Sequence, residues 1–129
     1  MKRPARVALE LLAPPAVASV LFALVMAART GEAKLVGALP FILVFAYVTA
    51  GIPAVAFTAI LEVAYARGLD AGSWRAVRLA ALLGLPCGCA LALLFSGGLQ
   101  NAGEAFAVFP ALGVATGAIV GAVVRARSR

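Results

Sequence analysis

Histidine is absent from this 129-residue chain, cysteine occurs twice, and acidic residues number five. Without an imidazole there is no histidine base or metal ligand, and no Ser with a partner base or close carboxylate pair falls in one expected layer. The two thiols, Cys87 and Cys89, flank Gly88. On a helix, positions i and i+2 point about 200° apart, so these thiols neither bridge nor chelate one ion readily. Gly97 and Gly98 are followed by Leu99 and Gln100 rather than the Lys and Ser or Thr of a phosphate-binding loop. The expectation is a protein that is not an enzyme and holds no metal or cofactor.

The most informative absence is charge. Leu11 to Ala28, Leu35 to Leu61, Leu79 to Gly103 and Ala105 to Val124 contain no Asp, Glu, Lys or Arg. A helix crosses the hydrocarbon of a bilayer with about 20 apolar residues, so each segment is long enough or nearly so. A 13 kDa globule cannot bury a chain that is 64% hydrophobic, and lipid must take the place of water around it. The segments are rich in Ala and Leu and lack period-two alternation, which excludes strands. These features predict an all-α integral membrane bundle of four transmembrane helices in two antiparallel hairpins, with residues 1–129 as one domain.

What charge there is gathers at one set of helix ends. Lys2, Arg3 and Arg6 precede the first segment, Arg67, Arg75 and Arg78 lie between the second and third, and Arg125, Arg127 and Arg129 follow the fourth. Only Arg29 and Lys34 fall on the other side. Because translocating Lys and Arg is disfavoured, this distribution predicts a multi-pass protein of the plasma (inner) membrane with both termini cytoplasmic. The net charge of +6 does not imply nucleic acid, since the cations are not interleaved with aromatics on a soluble surface. The expected partner is the lipid bilayer, with another membrane protein or a second copy as further candidates. Trp74 and Tyr65 stand where an interfacial belt would place them.

The first segment resembles a secretory signal peptide in its basic start and small Ala27, but its apolar part is long and broken by Pro14 and Pro15, so it is expected to remain. Short connections predict that sequential helices pack as neighbours. In the middle connection, Gly68 suits a helix stop and Ser73 an N-cap for a helix starting near Trp74. Arg6 and Pro14 are spaced as Arg78 and Pro86 are, and Pro40 and Gly51 as Pro110 and Gly121, a weak signature of duplicated hairpins.

Gly113, Gly117 and Gly121 form a stripe at i, i+4, i+8 in the fourth segment. Missing side chains on one face let a neighbouring backbone approach closely, which suits packing in lipid. The third segment offers Ala80, Gly84, Gly88, Ala92 and Ser96, and the second offers Ala46, Ala50, Ala54 and Thr58. The stripes predict contact between the third and fourth helices through Gly84, Gly88 and the three glycines.

Every segment contains proline, and Pro14, Pro53 and Pro86 share a depth about 12 to 14 Å from the nearest charge taken to mark the cytoplasmic interface. Such a layer predicts kinks, with freed carbonyls at Glu10, Thr49 and Leu82, and the functional form of it would be a hinge or polar cavity open to the cytoplasm. Among the acids, Glu10 reaches furthest inward and stands at i+4 from Arg6, which predicts an interfacial ion pair. Glu62 is expected to pair with Arg75 or Arg78. These two acids are the candidate functional carboxylates. Membrane mercury carriers use an adjacent Cys-Cys that this chain lacks, and the small multidrug exporters of similar size carry their first-helix acid deeper.

Two functional classes remain. A structural or accessory subunit would act through helix packing. A small-solute or ion transporter or channel would have to be oligomeric, because four thin helices are expected to leave little room for a pathway in one monomer.

Overall fold

Proline and glycine set the helix boundaries. A computed structural model describes residues 1–95 and 103–129, and all its regular structure is helical: α1 (Arg3–Thr30), α2 (Lys34–Gly37), α3 (Leu39–Ala66), α4 (Trp74–Phe95) and α5 (Gly103–Ser128). Among the described residues, α1, α3, α4 and α5 are long and apolar enough to cross a membrane. The chain is a four-helix bundle of a small multi-pass membrane protein.

The second segment, expected as one helix from Leu35, breaks at Ala38. Pro40 has no N–H to continue the ladder, and its ring would meet the carbonyl of Val36, so the chain makes the single turn of α2 before restarting as α3. At the far end of α3, Gly68 takes a left-handed φ of 97° and the Leu69 amide donates to the Ala64 carbonyl at 3.0 Å, a Schellman stop. Ser73 then caps α4, its hydroxyl accepting from the Ala76 amide at 3.3 Å. Ser96, the last residue of the small stripe on the third segment, lies outside the described residues, as does the glycine pair at 97 and 98.

The helices form a ring in which α1 meets α3 and α5, and α4 meets α3 and α5. The two hairpins are held differently. In α4 and α5 the backbones touch: a Cβ built at Gly84 would fall on the carbonyl of Gly113, one at Gly88 on that of Phe109, and one at Gly117 on that of Ala80. Gly121 sits looser, with Ala80 Cβ and Val77 Cα both 3.0 Å from its would-be Cβ. Gly51 of α3, by contrast, has open space at that position.

Both termini and the α3–α4 connection share one end. There Arg3 reaches Glu62, the Arg125 guanidinium lies 3.9 Å over the Trp74 ring, and Arg129 comes near Gly72. At this terminal end the hairpins close on a core of Phe57, Leu61, Ala80, Val120 and Val124. The buried residues of α3 are Ala54, Phe57, Thr58 and Leu61, all in its second half. Its first half presents Phe41 (80% exposed), Val48 and Ile52 (85% exposed) outward, surface that lipid covers in a membrane. Among the described residues the bundle is thus tight at the terminal end and open at the other.

Candidate functional site

Where the hairpins part they leave a cavity of about 950 Å³, walled by residues of α1, α3, α4 and α5. It lies at the upper end of the range for small-molecule pockets, about 300 to 1,000 Å³. On α1 its wall runs from Pro14 to Thr30, about 24 Å of helix at 1.5 Å per residue. Pro14, Pro15 and Pro53 stand at its inner limit, beside Phe57 of the core. The proline layer therefore does border a cavity, but one extending away from the terminal end, which the core seals, so it is neither a layer of ordinary kinks alone nor the cytoplasmic opening that was its functional alternative. Pro86 and Pro110 are not part of the wall.

A monomer thus holds more interior space than four thin helices were expected to allow. The small stripe of α3 contributes to it. Ala46, Ala50 and Ala54 line the cavity, and the short side chains of the first two leave room there.

The wall offers few free polar atoms. Ser19 donates to the Pro15 carbonyl at 2.7 Å, Thr49 to that of Phe45 at 2.9 Å, and Thr30 to that of Met26 at 2.8 Å. Each hydroxyl is thereby turned back on its own helix. The Cys87 thiol donates to the Pro53 carbonyl at 3.7 Å. Thr116 differs: it is 5% exposed, lines the wall, and its hydroxyl has no protein partner.

Four phenylalanines, one from each long helix, link across the cavity. Phe22 and Phe109 stack at 5.8 Å between centroids, Phe109 and Phe95 at 5.1 Å, and Phe95 and Phe45 meet tilted at 5.4 Å. Such distances lie within the favourable range for aromatic pairs. Beyond this collar, toward the open end, Arg29 of α1 and Glu104 of α5 form an exposed ion pair at 3.5 Å.

A second polar cluster lies at the terminal end. Glu10 sits one turn beyond Pro14, is 0% exposed, and neither of its carboxylate oxygens accepts a regular hydrogen bond. Tyr65 and Arg6 are its neighbours, with Arg6 Nε 4.0 Å from Oε1. The expected Arg6 pair is at the limit of contact because the guanidinium is committed elsewhere: it donates to Glu62 Oε1 from Nη2 at 2.7 Å and from Nε at 3.0 Å. Arg3 donates to Glu62 Oε2 at 3.0 Å, and the Arg6 guanidinium stacks 4.3 Å over the Tyr65 ring. Glu62 thus pairs with Arg3 and Arg6, not with Arg75 or Arg78. The antiparallel packing of α1 on α3 brings the start of one beside the end of the other, an approach that connection lengths suggest but residue spacing cannot register. Among the described residues no cluster of three or more His, Cys, Asp or Glu could hold a metal ion.

No family model matches the chain, and neither the curated proteins nor the solved structures give a significant match. The reading of the site rests on its own geometry. The collar, and the apolar character and direction of the cavity, escaped sequence reasoning. At least one phenylalanine in each apolar segment was the available signal, but spacing within a helix does not say that four faces converge.

Proposed function

We propose that the protein is a membrane carrier that houses an apolar or amphipathic small molecule between its two hairpins. The observation that carries this reading is the cavity of about 950 Å³, walled by all four long helices and closed at the terminal end by the core. A hydrated ion or sugar entering it would shed water and gain few partners, since the described wall hydroxyls other than Thr116 already donate to their own helices, and desolvation without replacement costs several kcal/mol. An apolar occupant loses nothing there. The buried Glu10 beside the sealed end, held only by a long 4.0 Å contact to Arg6 and by its neighbour Tyr65, supports a carrier over a passive scaffold, because a buried acid is costly to keep without a use. The excess of cations at the terminal end supports an orientation with both termini in the cytoplasm, which makes the cavity face the opposite side of a plasma (inner) membrane.

The test is titration of the purified protein in liposomes with the fluorescent apolar probe aminoanthracene. Saturable binding of one probe per chain, above partition into protein-free liposomes, is expected. Signal indistinguishable from protein-free liposomes, together with a stoichiometric membrane protein partner on purification from native membranes, would establish the accessory-subunit reading instead.

A further inference from the structure

The shape and chemistry of the cavity narrow its occupant further, on the carrier reading above. On α1 its wall is apolar apart from Ser19 from Pro14 to Met26, about 18 Å of helix and more than half the roughly 30 Å hydrocarbon thickness of a bilayer, so an extended chain fits it better than a compact ring. Among the described residues, charge occurs at one place along the wall, the open end, where Arg29 and Glu104 stand together. Their ion pair is long at 3.5 Å, and both side chains are substantially exposed. Such a pair contributes little to stability, so exchanging it for a ligand's charges is inexpensive.

We infer that the cavity binds a zwitterionic lipid, its hydrocarbon chain passing the phenylalanine collar and its headgroup at Arg29 and Glu104. A cation and an anion side by side complement a headgroup that carries both signs: the Arg29 guanidinium takes the phosphate through paired N–H donors, and the Glu104 carboxylate takes the ammonium. A singly charged head would satisfy one partner and repel the other. The collar is suited to a chain because hydrocarbon passes aromatic faces without leaving a polar group unpaired. Rings held at 5.1 to 5.8 Å need only rotate aside to admit it. Among the described residues Thr116, deep in the wall, is the one wall hydroxyl without a protein partner, and a saturated chain leaves it as it stands.

The experiment is native mass spectrometry of the full chain with palmitoyl lysophosphatidylethanolamine, and with monopalmitoylglycerol, which has the same chain and an uncharged head. One lysophospholipid per chain is expected, bound about tenfold more tightly than the glyceride. The exposed substitutions Arg29→Gln and Glu104→Gln, made together, should bring the two lipids to equal affinity while leaving the melting temperature in detergent unchanged, since the exposed pair contributes little to stability. Equal affinity for both lipids in the unsubstituted protein would overturn the assignment of the headgroup site. Aminoanthracene bound in the cavity but not displaced by the lysophospholipid would overturn the lipid assignment and leave the carrier reading standing. Failure of both probes to bind would remove both.

Discussion

Arg6 lies between two acids and is bonded to only one of them: its Nη2 is 2.7 Å from Glu62 Oε1, whereas its Nε stands 4.0 Å from Glu10. The unequal sharing makes the substitutions unequal. Removing Glu62 frees Arg6 to close on Glu10, so Glu62→Gln should cost little, about 1 kcal/mol or less. Removing Arg6 leaves Glu10 buried without its cation, and Arg6→Gln should cost more, about 3 kcal/mol, the order found when one partner of a buried pair is removed. Thermal unfolding in detergent checks the ranking, with Arg6→Gln giving the larger fall in Tm.

Glu10 itself separates a structural from a functional acid. Glu10→Gln keeps the shape and removes the charge, so the variant should insert and fold at normal abundance. If Glu10 serves the carrier, proton-dependent movement of a cavity ligand in liposomes should be lost. A variant that folds normally and retains that movement would show that Glu10 is not part of the transport machinery.

The glycines of the second hairpin should be far less replaceable than that of the first. Gly84→Ala puts a methyl against the Gly113 carbonyl, a backbone atom that cannot move aside, and Gly117→Leu does the same against Ala80 on a larger scale. Each should destabilise by roughly 1 to 3 kcal/mol. Gly51→Ala enters open space and should be neutral or stabilising, by up to about 1 kcal/mol, from helix propensity. Melting temperatures of the three variants in one detergent decide this.

The two cysteines should react differently in the presence of a ligand. Cys87 is in the cavity wall and Cys89 is not. Aminoanthracene should slow alkylation of Cys87 by a small membrane-permeant maleimide and leave that of Cys89 unchanged, as read by mass spectrometry of the modified peptides.

Helix number and approximate span were legible in the sequence because absence of charge over about 20 residues is a local property. So were the Gly68 stop and the Ser73 cap, since each depends on one residue and its neighbours. The Glu62 pairing was not, because Arg3 and Arg6 are close to it only once α1 lies antiparallel on α3. Small residues carried the least certain message. The same spacing of Gly and Ala marks close backbone contact at Gly84 and Gly113, yet marks a cavity wall at Ala46 and Ala50. What distinguishes them is the partner helix, which no single segment encodes.

If the space between the hairpins is a binding site, two neighbouring positions on α3 must respond differently to the same substitution. Ala50 faces the cavity and Ile52, two residues on, faces outward at 85% exposure. Ala50→Phe should fill the site and weaken aminoanthracene binding by tenfold or more, while Ile52→Phe should leave it unchanged. Equal affinities for the two variants would contradict the account, because the probe would then be dissolving in lipid around the bundle and not within it.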